Sequence, residues 1–302
     1  ATADNRMEPL KVEYPTTDAE LAGQTGAAGA FPNGLPRNGH WRVYYNDFHG
    51  NRGHQDVFDA DSGRWSATDP GTGFQTNGQF MLDCRYNTFH GISGDEHIDL
   101  GGDAFIASNR FYTGSKDQWT VDTGYSNAIS SGDKGTGTTI VVARNIFYDL
   151  DHAINCKINT ATIFEHNTCV DFHQDWQYNH TVTQDVRCAA VNLYVPNDGN
   201  AAGDGAYVAY NIFYGNSVAT DDTVSPDPIG GFPRIFSWPD LTTTGAKTSI
   251  LRVENNFIDD RILDTSLGVN HPGGLFNTAY GTGNVQGNPL FTDKAVRDFS
   301  LA

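Results

Sequence analysis

The chain has 302 residues, including 33 glycines and only two methionines, enough for one large domain or two ordinary ones. Its 36 acidic against 19 basic residues leave a net charge of −17, which argues against a nucleic-acid partner and disfavours a bare polyanion unless a cation bridges the two. No long apolar run and no heptad pattern occurs, so neither a membrane span nor a coiled coil is predicted.

In chain order, residues 1–40, with "GQTGAAGAFPNGLPRNGH", read as an extended lead-in or N-terminal cap. From residue 41 an Asn-x-Phe-like triplet closes one short β-branched or aromatic run after another. The instances are "VYYNDF", "CRYNTF", "IASNRF", "VARNIF", "FEHNTC", "VAYNIF" and "VENNFI". Their asparagines, 46, 87, 109, 145, 167, 211 and 255, are separated by 41, 22, 36, 22, 44 and 44 residues. A second beat precedes five of them: "HIDL" (97–100), "AISS" (128–131), "AINC" (153–156), "AVNL" (190–193) and "RIFS" (234–237).

Only one such beat falls within each 44-residue gap, so each gap reads as a single turn carrying polar insertions such as "HQDWQYNHTVTQ" and "PNDGNAAGDG". A minimal period of 22 built from short strands predicts an all-β chain, a right-handed parallel β-helix of seven to eight coils with long loop insertions. The β-helix domain is expected to span 41–302, with a closing segment from about 275 that ends in "GNVQGNPLFTDKAVRDFSLA". Asn is expected to adopt the left-handed turn and to bond the Asn of the next coil, while Phe stacks inside.

Ala1 opens the chain without a methionine or a signal peptide. With low lysine and abundant Asn, Gly and Thr, that fits an extracellular, secreted or cell-surface protein, or a piece excised from a longer one. Cys84, Cys156, Cys169 and Cys188 show no zinc-ligand spacing, and one disulfide or buried free thiols both fit. "NDFHGN" and "NTFHGI" place His49 and His90 at equivalent positions. With His54, Asp56, Asp59 and Asp61 they read as a metal site or as a stacked histidine ladder.

The run from His97 to Phe172 resembles right-handed parallel β-helix repeats of the pectate-lyase-like superfamily, in particular β-helix domains of large secreted bacterial proteins. The closing "GNPLFTD…DFSL" is similar to the segment that often ends such helices. The resemblance implies the fold and leaves open lyases, hydrolases, epimerases and non-catalytic surface proteins.

Aligning Ile98, Ile129, Ile154, Val191 and Ile235 as inward residues places Asp99, Ser130, Asn155, Asn192 and Phe236 in one outward file. The next outward file is Gly101, Gly132, Lys157, Tyr194 and Trp238. A lysine beside aromatic rings and amides is what a sugar groove requires, so Asn155, Asn192, Tyr194, Trp238 and His97 are candidate substrate-binding residues. "HAINCKINTATIFEHNT" looks like the catalytic-lysine coil of alginate and chondroitin lyases with this fold. The resemblance implies Lys157 as the base, with His152 and Asp99 as further catalytic candidates, and Ca²⁺ neutralising the substrate carboxylate. Asp95, Glu96 and Asp103 are the candidate metal ligands, whereas Asp151 and His152 stand where a glutamate pair would precede the lysine.

Two other outcomes stay open. The acids of "GDEHIDLGGD" could supply the carboxylate pair of a glycoside hydrolase. Lys157 could equally snorkel on the face of a non-catalytic module serving adhesion or scaffolding. The expected partner is extracellular polysaccharide, with self-association or neighbouring domains as further partners.

Overall fold

The computed structural model describes residues 10–11, 41–49, 57–65, 82–92, 96–102, 104–114, 127–131, 138–148, 150, 152–156, 160–170, 189–193, 205–214, 234–237, 250–259, 281–293 and 298–301. These form an all-β parallel β-helix whose strands recur in threes. The first coil is β1 (Leu10–Lys11), β2 (Trp41–Tyr44) and β3 (Asp47–His49). The second is β4 (Phe58–Trp65), β5 (Leu82–Arg85) and β6 (Thr88–Ile92), and the third β7 (Glu96–Gly102), β8 (Ala104–Ala107) and β9 (Arg110–Gly114). The fourth follows as β10 (Asn127–Ser131), β11 (Thr138–Ala143) and β12 (Ile146–Tyr148). The fifth is β13 (His152–Cys156), β14 (Thr160–Glu165) and β15 (Thr168–Val170). The sixth is β16 (Ala189–Leu193), β17 (Gly205–Ala209) and β18 (Ile212–Tyr214), and the seventh β19 (Arg234–Ser237), β20 (Ile250–Glu254) and β21 (Phe257–Asp259). The strand β22 (Val285–Gly287) starts an eighth, and β23 (Phe291–Asp293) pairs antiparallel with β24 (Asp298–Leu301).

Every third strand is hydrogen-bonded to its counterpart one coil on. The result is sheet A (β1 to β19, seven strands), sheet B (β2 to β20, seven) and sheet C (β3 to β22, eight). The long spacings are therefore single coils, because β15 pairs directly with β18 and β18 with β21. Leu10–Lys11, in the segment expected as lead-in, pairs with Phe58–Asp59 at one end of sheet A.

The asparagines form the predicted ladder. Each rung donates both its backbone N–H and its Nδ2 to the Oδ1 of the next rung, at 2.8–3.1 Å from Asn46 through Asn87, Asn109, Asn145 and Asn167 to Asn211. The remaining Nδ2 hydrogen reaches a backbone oxygen of an earlier strand, as from Asn145 to Ile106 at 2.9 Å. Buried amides survive only when bonded this completely.

Two details differ from expectation. The left-handed residue is not the asparagine but the one before it: Tyr45, Tyr86, Ser108, Arg144, His166, Tyr210 and Asn255 have φ of 55–59°. The seventh rung is consequently Asn256, one residue after the asparagine the repeat suggested, and Asn284 is an eighth. Before that rung Gly283 takes the left-handed place with φ +81°. The conformation tips the asparagine amide into the interior and leaves its predecessor pointing to solvent, with Tyr45 77 % exposed.

Inside, Phe48, Phe89, Phe111 and Phe147 stack at centroid distances of 4.8–5.0 Å. The column continues in register through Cys169, Phe213 and Ile258. Sheet B contributes buried Cys84, Ile106, Val142, Phe164, Val208 and Val253 in one register column. Sheet A adds Ile98, Ile129, Ile154 and Val191, all 0 % exposed. Burying side chains of this size stabilises by about 1.5–3 kcal/mol each, so the core supplies the main drive for winding the chain.

The β23–β24 hairpin folds back over the outer side of sheet C. Phe299 packs on Tyr148 at 5.3 Å and Phe291 edge-on to Tyr214 at 5.3 Å. The predicted closing segment thus clamps coils four to six from outside.

Candidate functional site

Sheet A carries the densest set of buried polar groups among the described residues. Its register aligns Glu96, Asn127 and His152 in one column, and Asp99, Ser130, Asn155 and Asn192 in another. At about 4.8 Å per coil, Asp99 and Asn155 stand roughly 10 Å apart with Ser130 between them. The second column then meets Ser237, not Phe236, because Val191 pairs with Phe236. The alignment that put Ile235 opposite Val191 is therefore one residue early, which shifts the last member of each file.

The polar file expected on an open face is enclosed: Asp99 and Asn155 are 7 % exposed and Ser130 0 %. Glu96 is also buried and accepts from the Asn127 amide at 3.3 Å. His152 is buried beside them at the start of β13. His97 lies in the core against Phe89 and Phe111, with ring centroids 6.4 and 6.0 Å away. Among the described residues neither of its nitrogens has a hydrogen-bond partner. Burial, with a smaller push from His90, lowers its pKa to about 3, so its ring is neutral at physiological pH.

Lys157, Tyr194, Trp238, Asp95 and Asp103 lie outside the described residues, and for Asn192 only the backbone position is described. Lys157 directly follows β13, one residue after Cys156. His54, Asp56 and Cys188 also fall outside, while Asp59 and Asp61 sit on β4. Among the described residues no three metal-ligating side chains converge, and the Glu96 carboxylate is engaged by Asn127.

The three described thiols are structural. Cys84, Cys156 and Cys169 are buried and unbridged. Burial pushes Cys84 and Cys156 up to about 12, far from the thiolate that nucleophilic chemistry requires. Cys84 Sγ also accepts from the ladder amide of Asn87 at 3.2 Å.

Sheet B carries a polar arrangement the repeat search passed over. Tyr44 donates to Asp83 at 2.5 Å, and Arg85 grips the same carboxylate through Nε at 2.5 Å and an η-nitrogen at 2.9 Å. The Arg85 guanidinium also lies 4.6 Å from the centre of the Phe105 ring. Hydrogen bonding to the carboxylate raises the Tyr44 pKa. At the other end of the sheet Tyr207 donates to Glu254 at 2.9 Å, and Arg252 pairs with the same carboxylate at 3.1 Å. The signal was the alternation in "WRVY", "LDCR" and "LRVE", whose polar members share one strand face. On sheet C, His49 and His90 do stack, at 5.2 Å, and His90 Nε2 lies 2.9 Å from Asp47.

No family model matches the chain, and no curated protein or solved structure matches it. Among the described residues no helix is long and apolar enough to cross a membrane. What is established is a parallel β-helix with one buried polar file on sheet A and two tyrosine–acid–arginine groups on sheet B.

Proposed function

We propose that this chain is an extracellular β-helix protein of pectate-lyase-like type that engages polysaccharide, with uronate-containing glycans as the preferred class and lyase chemistry as the reaction. One observation carries the reading: hydrogen-bonding groups recur once per coil along sheet A, at Asp99, Ser130 and Asn155, and in the sequence Lys157 stands two residues after Asn155. A regular polymer offers hydroxyls and carboxylates at a repeat, and a lattice of polar groups with its own repeat suits such a ligand. Lys157 in its neutral form would take the C5 proton beside the sugar carboxylate, and the C4–O glycosidic bond would break as the C4–C5 double bond forms. The departing oxygen would take up a proton from solvent, and the amides of Asn155 and Asn192 would orient the ring.

The test is unsaturated-product absorbance over a panel of uronans, with and without added Ca²⁺, for the native chain and Lys157→Ala. Product from the native chain and loss of it in the variant support lyase action. Silence on every uronan, together with unaltered glycan retention by Lys157→Ala, removes it.

The enclosure of Asp99, Ser130 and Asn155 favours a second reading, a non-catalytic β-helical module of a surface protein. There the file is packed away inside the molecule and contacts no ligand. Glycosidase action needs two carboxylates facing one gap, and of its candidates Glu96 is bonded to Asn127.

A further inference from the structure

Between sheets B and C the chain turns in two residues in each of coils one to seven, and every residue of these corners is described. Backbone bonds from Tyr45 to Arg85, Tyr86 to Ala107, Ser108 to Ala143, Arg144 to Glu165 and His166 to Ala209 hold successive corners one coil apart. Their left-handed residues make an outer file of Tyr45, Tyr86, Ser108, Arg144, His166 and Tyr210. All but Ser108 carry planar groups. Tyr45 stacks on Tyr86 at 5.1 Å, and His166 on Tyr210 at 5.1 Å. Ser108 is the break. At about 4.8 Å per coil, Tyr86 and Arg144 stand roughly 10 Å apart, with only the serine side chain between them.

The walls of this slot have unused bonding capacity. Tyr86 is 50 % exposed, and among the described residues only Tyr45 stacks on it, leaving the face toward Ser108 open. Arg144 and Arg110, the latter two residues beyond Ser108 on β9, are exposed, and neither is in an ion pair among the described residues. Arg85, by contrast, is taken up by Asp83. Asp298, whose pKa is lowered first by hydrogen bonds from Ser300, feels Arg110 only as a minor charge. An open tyrosine face takes the flat side of a ring, and guanidiniums pair with a carboxylate in a fork. A slot one full rung wide suits a puckered pyranose, which is thicker than an arene.

We infer that the Ser108 slot is a subsite for a single uronate ring, separate from sheet A, with the sugar face on Tyr86, its carboxylate on Arg110 and Arg144, and a hydroxyl on Ser108. The inference rests on the proposed engagement of uronate-containing glycans and adds a second place at which such a glycan is gripped.

Fluorine NMR of the full chain labelled with fluorotyrosine tests this beside calorimetry, the Tyr86 resonance being assigned by its loss in Tyr86→Phe. The probes are galacturonate and mannuronate trimers, neutral maltotriose, and phenylacetate as a flat acid. A uronate trimer is expected to shift the Tyr86 resonance and maltotriose to leave it in place. Arg144→Gln should weaken the binding read there by about tenfold or more, through loss of a charged hydrogen-bonding partner. Ser108→Tyr fills the slot with a residue that the same corner already holds at Tyr45, Tyr86 and Tyr210, and should abolish the shift. Calorimetric binding of a uronate trimer with the Tyr86 resonance unmoved, or with the shift unaltered in both variants, overturns the slot and leaves the polysaccharide reading standing. An equal shift with maltotriose, or a shift with phenylacetate alone, overturns it too, the second making the slot a seat for an aromatic group. Absence of calorimetric binding to every glycan overturns both.

Discussion

Phe164 fills the space that Cys169 leaves in the phenylalanine column. In register Cys169 stands between Phe147 and Phe213, where a ring is missing. Phe164, from the neighbouring sheet, lies 5.8 Å from Phe147 and 6.4 Å from Phe213. Its two neighbours in its own column are valines, Val142 and Val208.

That exchange predicts strong coupling. Phe164→Val should cost about 2–3 kcal/mol as a cavity, and Cys169→Phe about 1–3 kcal/mol by overpacking. The double variant moves the ring back into its column and should cost clearly less than the two together. Urea unfolding of the four proteins measures the cycle, and simple additivity would contradict the account.

Position along the ladder should grade the value of an asparagine. Asn145→Ala orphans the buried amides of Asn109 and the carbonyl of Ile106. At about 1–3 kcal/mol per orphaned group, the three groups should together cost about 3 kcal/mol or more. Asn46→Ala, at the exposed end, should cost less than about half of that. Midpoints of chemical denaturation distinguish a graded ladder from a uniform one.

At the corners, side chains with a Cβ hold a left-handed conformation that costs about 1–2 kcal/mol. Arg144, exposed and at φ 56°, is the cleanest site. Arg144→Gly should raise stability by up to about 1 kcal/mol, the relief being partly offset by the freer unfolded chain. A lowered melting temperature would show that the Arg144 side chain makes a compensating contact.

Acid should weaken the fold through His97. Its folded pKa of about 3 lies below the usual value near 6.5, so between those limits the unfolded chain binds the extra proton. The stabilisation is complete above about pH 6.5 and is lost as pH falls toward 3, by at most about 2 kcal/mol at pH 5. Denaturation at pH 7.5 and pH 5 should show the loss, and His97→Phe should remove that part of it.

Thiol chemistry should be silent until the helix opens. With Cys84 and Cys156 buried and shifted to about 12, a thiol reagent should leave both unlabelled in the native chain and label both in denaturant. Peptide mapping by mass spectrometry reads this directly.

Much of the architecture was legible because a β-helix repeats one local problem at every coil. "CRYNTF", "IASNRF" and "VARNIF" each solve the same corner, so their likeness exposes the ladder and the Phe stack. The extra asparagine of "VENNFI" hid which residue of the pair enters the ladder, since only the left-handed turn at Asn255 decides it. Of the candidate site, the alignment of Asp99, Ser130 and Asn155 was legible from the beat. Their enclosure was not, because solvent access depends on what lies over a sheet, and strand periodicity does not encode that.

By itself the sequence determined the β-helix, the single-coil reading of the 44-residue gaps and the residues that stack, because these follow from which side chains recur at one height per coil. Only the tertiary structure decided the register at Val191 and Phe236, the trade between Cys169 and Phe164, and the hairpin clamped over Tyr148 and Tyr214. Register is settled by hydrogen bonds between coils, and a slip of one residue moves every following side chain to the other face. Core volume is shared between sheets far apart in sequence, so a missing ring in one column is compensated where no local pattern points.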